Sequence, residues 1–169
     1  AAARTVDACV PGRGPKIVFS GLDASVAGEV EAAFAAAGHV VVSNARNFRM
    51  DTLVPLLIPE VNPDHTGLIP KQRADRGWPG FILTNPNCAT VVLAMALAPL
   101  RQFGLETTLI TTLQASTGAG YPGVPSLDIL GNVIPFIDGE EEKIQTESLK
   151  IMGTLETDRV VPHPMIVSA

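Results

Sequence analysis

The 169-residue chain is 46% hydrophobic but only 5% aromatic, and it carries a formal net charge of −5. Such a composition fills an aliphatic core and argues against a nucleic-acid partner or an acidic membrane surface, both of which want a basic face. Two cysteines, Cys9 and Cys88, are too few for a disulfide framework and have no metal-ligand spacing; with no apolar run of membrane-spanning length and no signal-peptide h-region, a reducing compartment, most simply the cytoplasm, is expected.

Residues 1–15 are rich in Ala, Pro and Gly and read as a lead-in, with Cys9 given no chemical role. Lys16 to Ser20 is a short apolar strand, Ser20-Gly21-Leu22-Asp23 a turn, and Ser25 to Ala37 a helix with Val26, Val30, Ala33, Phe34 and Ala37 at helical spacing. His39 to Ser43 is the next strand. A β-α-β order of this kind predicts a parallel, doubly wound sheet, in which ligands gather beyond the C-terminal ends of the strands. Ser20-Gly21 and Ser43-Asn44 fall there, and the segment after Asn44 adds Arg46 and Arg49, side chains suited to bidentate phosphate or carboxylate contacts. Read alone, that segment is more simply a solvated loop.

The apolar run Val54 to Pro59 predicts an edge or irregular segment. The polar, proline-rich stretch 62–80 predicts a long connection and a domain boundary, with His65 on its surface. Phe81 to Thr84 is a strand and Val91 to Leu100 a helix-length apolar run, so Cys88 sits at a strand-to-helix junction. Unpaired N–H groups and the positive end of the helix dipole collect at such a junction and acidify a thiol there. Asn87 is a good N-cap whose amide can also face an oxyanion. The competing reading is a buried structural cysteine behind a cap.

Further on, Pro99 breaks the helix, and Glu106 to Gln114 has strand composition. Gln114 to Gly123 is a Gly-rich loop, and Asn132 to Ile137 a short apolar segment. Glu140 to Met152 is an amphipathic helix with acid crowded at its start; Glu140 and Lys143 share a face. His163, between prolines, reads as structural, and Met165 to Ala169 as the start of a strand.

Together these stretches resemble aspartate-semialdehyde dehydrogenase of the fungal and archaeal type. The motifs are Phe19-Ser20-Gly21-Leu22-Asp23-Ala24, Val42-Ser43-Asn44-Ala45-Arg46-Asn47 with Arg49, Asn87-Cys88-Ala89-Thr90, Leu113-Gln114-Ala115, the run Gly118 to Asp128, and Gly139-Glu140-Glu141-Glu142-Lys143. The resemblance implies an α/β fold: the C-terminal half of a doubly wound, Rossmann-like nucleotide-binding domain (1–84), then the start of an α+β catalytic and dimerisation domain (85–169). It implies NADPH-dependent reduction of L-aspartyl-4-phosphate to L-aspartate 4-semialdehyde with release of phosphate, a step toward lysine, methionine and threonine. Cys88 is then the nucleophile that forms the thioester, Gln114 orients the acyl-enzyme, and Asn87 sits beside the oxyanion. Arg49 and Lys143 bind phosphate, Glu140 holds the substrate ammonium, and Ser20, Gly21, Thr117 and Gly118 lie along NADP(H). The family forms homodimers or homotetramers, and no metal is implied.

Two family features are missing from the sequence: the Gly-rich turn after a first strand, and the substrate arginine and general-base histidine that follow a segment like Ile166 to Ala169. The expectation is an internal fragment with little activity by itself. Alternatives are a related acyl-phosphate reductase with another substrate, a cysteine hydrolase, for which none of His39, His65 or His163 has a persuasive context, and a non-catalytic dimerising module.

Overall fold

A computed structural model describes residues 6, 8–119 and 121–169. Part of the N-terminal lead-in and Gly120 of the Gly-rich loop lie outside the described residues. The first half is built on three parallel strands in the order β1 (Ile17–Ser20), β2 (Val40–Ser43) and β3 (Phe81–Thr84). Their register brings Ser20, Ser43 and Thr84 level at the C-terminal edge. The β1–β2 crossover is α1 (Ala24–Ala36), capped by Asp23, whose carboxylate accepts from the Ser25 N–H at 2.8 Å. Gly38 closes it at φ +97°, a left-handed conformation that favours glycine. Phe34, Ala35, Val41, Val54 and Ile82 form the core between α1 and the sheet. Gly80 is required there: a Cβ would lie 2.1 Å from the His39 carbonyl oxygen.

The stretch 62–80 is not a boundary. Pro63–Leu68 forms a 3-10 turn that runs into α2 (Ile69–Arg76), and together they are the crossover from β2 to β3. Gln72, fully buried, donates to the carbonyls of Leu53 and Ile82 and accepts from the Ile82 N–H. One polar side chain thus stitches this helix to the sheet. His65 is likewise buried rather than on the surface. Its Nδ1 accepts from Asn62 Nδ2 at 2.8 Å, and Nε2 faces the Gly153 carbonyl at 3.4 Å. Desolvation lowers the pKa of this imidazole. The run from Val54 is irregular, as expected, and meets the sheet through one parallel bridge, Leu56 to Thr84.

In the second half α3 (Cys88–Leu97) gives way at Pro99 to a 3-10 stretch, Ala98–Phe103. After β4 (Thr107–Leu109) and the short α4 (Ser126–Ile129) comes α5 (Glu140–Ile151), then β5 (Thr154–Glu156), β6 (Arg159–Val161) and β7 (Ile166–Ser168). Helix α5 packs on α3 around Leu93, Leu97, Ile144, Met152 and Met165. The strand expected over 106–114 is shorter than its composition suggests. Its partner β7 offers three residues, and beyond Leu109 the pairing ends with the Ile110 N–H on the Ser168 carbonyl. The segment 132–137 is irregular and exposed.

Candidate active site

Sequence forces the chain to turn sharply after β3. Pro86 excludes a further ladder bond, and Asn87 begins a helix by accepting the N–H groups of Ala89 and Thr90 on its side-chain oxygen, at 2.9 and 3.2 Å. Cys88 is thereby the first residue of α3, and it is exposed. It opens onto a cleft of about 570 Å³ whose walls include Asn44, Arg49, Ile58, Glu60, Asn87 and Cys88. An exposed thiol at a helix start does not fit the buried-structural reading.

Two glutamates of α5 hold Asn87. Glu140, 7% exposed, accepts from Asn87 Nδ2 at 2.9 Å and from Gln114 Nε2 at 2.6 Å. The three residues form a continuous chain, and Gln114 is brought in although its own segment is exposed. Glu147, 2% exposed, accepts from the Asn87 backbone N–H at 2.6 Å and from Arg49 Nη1 at 2.9 Å. Arg49 also donates to the Asn44 carbonyl, while its buried Nε has no partner. A guanidinium carries five donors, so it retains capacity toward the cleft.

Lys143 is half-buried one turn after Glu140, and its Nζ lies 3.6 Å from where a Cβ on Gly139 would stand, folded back toward the start of α5. Ser20 and Gly21 lie at the end of β1, where the Ser20 hydroxyl is buried without a partner. That position is the C-terminal edge of a parallel sheet, the edge beyond which ligands of such folds bind. Thr117 and Gly118 lie in an exposed 3-10 turn, Ser116–Ala119. Among the described residues no hydrogen bond joins that turn to Ser20 or Gly21. Arg46, Asp23, Ser25 and Asn47 surround a second, open hollow beside the start of α1.

Sequence reasoning overlooked Glu147 and Lys150. The Lys150 ammonium is buried and donates to the carbonyls of Arg49, Asp51 and Val54 at 2.7, 2.8 and 2.9 Å. Burial outweighs the attraction of Asp51 and Glu147 and pulls its pKa down to about 8. The available signal was spacing: Glu140, Ile144, Glu147 and Ile151 recur on one helix face, so the two carboxylates occupy core-facing positions.

Comparison with known proteins gives the family and the fold. Residues 7–69 match the NAD-binding domain of semialdehyde dehydrogenases, and residues 97–168 match the dimerisation domain of the same group. Aspartate-semialdehyde dehydrogenase of Archaeoglobus fulgidus is 55% identical over 90% of this chain and 45% of its own length. That of Cryptococcus neoformans is 55% identical over 84% of this chain and 40% of its own. The chain therefore spans less than half the length of the curated relatives it matches. The crystal structure of the Candida albicans enzyme with NADP superposes with a TM-score of 0.83 at 42% identity, covering 96% of this chain and 49% of that one. With the thiol, its cap and the parallel-sheet edge in this arrangement, and with two domain families matched in order, the chain belongs to the aspartate-semialdehyde dehydrogenase family.

Proposed function

We propose that this chain carries the thiol side of an NADPH-dependent reduction of L-aspartyl-4-phosphate to L-aspartate 4-semialdehyde, with residues 1–84 on the nucleotide side and 85–169 on the catalytic side. The observation that carries the reading is the exposed Cys88 at the first position of α3, facing a cleft that also contains Arg49. The Cys88 thiolate attacks the acyl carbon; a C–S bond forms, the C–O bond to the phosphoryl group breaks, and phosphate leaves. NADPH, when bound, supplies the hydride that reduces the thioester carbon. Collapse of the resulting thiohemiacetal breaks the C–S bond, frees the aldehyde and returns the thiolate.

Each nearby side chain has a part in that sequence. The Asn87 amide, held by Glu140, faces the developing oxyanion. Gln114, on the other oxygen of Glu140, orients the acyl group. Arg49 and Lys143 take the phosphate, and the remaining lone pairs of Glu140 receive the substrate ammonium. Ser20, with its unpartnered hydroxyl, Gly21, Thr117 and Gly118 line the nicotinamide cofactor. The named relatives support the substrate and cofactor: one solved structure holds NADP, and an enzyme from Vibrio cholerae, 29% identical with a TM-score of 0.64, is complexed with ASA. The match to a dimerisation domain supports assembly as a homodimer or a tetramer built from it.

The test is phosphate-dependent reduction of NADP by aspartate semialdehyde, followed in the full-length protein by absorbance of the reduced cofactor. Replacing the nucleophile, Cys88→Ser, is expected to lower turnover about a thousandfold or more. Turnover that survives this substitution sinks the proposal.

A further inference from the structure

Outside the roles already given, α5 contributes a third charged side chain to the site. Glu147 lies two turns beyond Glu140, on the same face, and its two carboxylate oxygens are spent on different parts of the cleft. One takes Nη1 of Arg49 at 2.9 Å; the other takes the backbone N–H of Asn87 at 2.6 Å. Arg49 and Asn87 come from different strand ends, after β2 and after β3, and no hydrogen bond joins them directly among the described residues. The carboxylate is 2% exposed, so water does not compete for either bond. Three residues on, Lys150 grips the main chain of the Arg49 segment through the carbonyls of Arg49, Asp51 and Val54. Arg49 is therefore held at its backbone by Lys150 and at its guanidinium by Glu147. Glu140 reaches the site from the same helix and holds the Asn87 side chain.

We propose that Glu147 is a positioning residue that sets the distance between the anion-binding arginine and the Asn87-Cys88 junction. It touches neither substrate nor cofactor. The charged groups placed around this junction are the cations Arg49 and Lys150 and the carboxylates Glu60, Glu140 and Glu147. Among the described residues, only Glu147 reaches both the arginine side chain and the junction. A glutamine in its place has one acceptor oxygen where the geometry needs two, and its NH₂ group faces a donor at the other position.

The experiment reads Cys88 alkylation by iodoacetamide in the full-length protein, resolved from Cys9 by peptide mass spectrometry, with and without inorganic phosphate. Glu147→Gln is expected to slow alkylation about threefold or more without phosphate, because the start of α3 loses an anchor, and to raise the half-protecting phosphate concentration about fivefold or more. Glu147→Asp, which keeps both acceptors on a shorter stem, recovers part of each effect. Glu142→Gln, an exposed position on the same helix, leaves both unchanged. Unchanged alkylation and protection in Glu147→Gln, with only the melting temperature lowered, overturns the proposal. The protection arm rests on the phosphate reading of the site. If Arg49→Gln also leaves protection unaltered, that reading fails, while the phosphate-free rate still judges Glu147. Should Glu147→Gln not fold, the double variant with Arg49→Gln removes both buried charges together. Its phosphate-free rate must then fall below that of Arg49→Gln alone, and equality overturns the proposal.

Discussion

The segment 49–62 and the segment 105–137 flank the same cysteine, yet they are held in opposite ways. The first has almost no regular structure, but its polar groups are met inside the chain. Lys150 takes three of its carbonyls, Gln72 takes another at Leu53, and Asn62 bonds both the Ile58 N–H and the Leu56 carbonyl. The second has strand and helix propensity, but presents Leu109, Leu113, Leu127, Leu130 and Val133 to solvent. Strand β4 pairs with a three-residue partner, a marginal arrangement in water. Order around this site therefore comes from buried side chains reaching main-chain groups, rather than from local propensity. Arg49 and Asn87 sit on the pinned side; Gln114, Thr117 and Gly118 sit on the open one, tied in through Glu140 for Gln114.

Lys150 holds the most of the 49–62 segment. Lys150→Met keeps much of the stem and removes the ammonium, stranding the buried carbonyls of Arg49, Asp51 and Val54. A loss of about 3 kcal/mol is expected in urea unfolding, with the midpoint falling at constant slope. A change under about 1 kcal/mol would show that the 49–62 segment is ordered by something else. Next comes Gln72→Leu, of similar volume but unable to meet the Leu53 and Ile82 carbonyls or the Ile82 N–H. About 2 kcal/mol should be lost, again by chemical denaturation.

These residues also mark where the sequence stopped being legible. The strands were plain because Ile17 to Ser20 and Val40 to Ser43 are continuous apolar runs bounded by turn residues. Helix α5 was plain from its periodicity, and the Cys88 junction from an asparagine set between a strand and an apolar run. Helix α2 was not, because its one buried side chain is the polar Gln72, and two prolines precede or open it. Spacing places Glu147 on the core-facing side of α5, but its partners, and the burial of Lys150, depend on the 49–54 backbone lying against that helix, a long-range contact that no local pattern announces. His65 was misplaced for the same reason, since Asn62 and Gly153 converge on it from opposite sides.

His65 gives a pH test of that convergence. Its pKa is lowered by burial, so the unfolded chain binds the proton more readily than the folded one. Stability is complete above the ordinary imidazole value of about 6.5 and declines as the pH drops below it. Protonation also puts a second N–H on Nδ1, facing the Asn62 amide donor. Melting temperatures at falling pH should decline in the unaltered protein and less steeply in His65→Gln. Parallel curves would mean that other groups carry the acid sensitivity.

The smallest effect is expected on the open side. Leu127 is 86% exposed, so within one chain its removal costs little transfer free energy. Leu127→Gln should alter stability by no more than about 0.5 kcal/mol when the protein is dilute enough to be monomeric. At higher concentration, where the domain matched to dimerisation is free to associate, the same substitution tests whether this apolar face is covered by another surface. A concentration-dependent melting temperature that flattens in Leu127→Gln places Leu127 in that contact. A cost above about 1.5 kcal/mol in the dilute monomer would instead mean that 105–137 packs on its own chain, and the contrast with the pinned segment would fall.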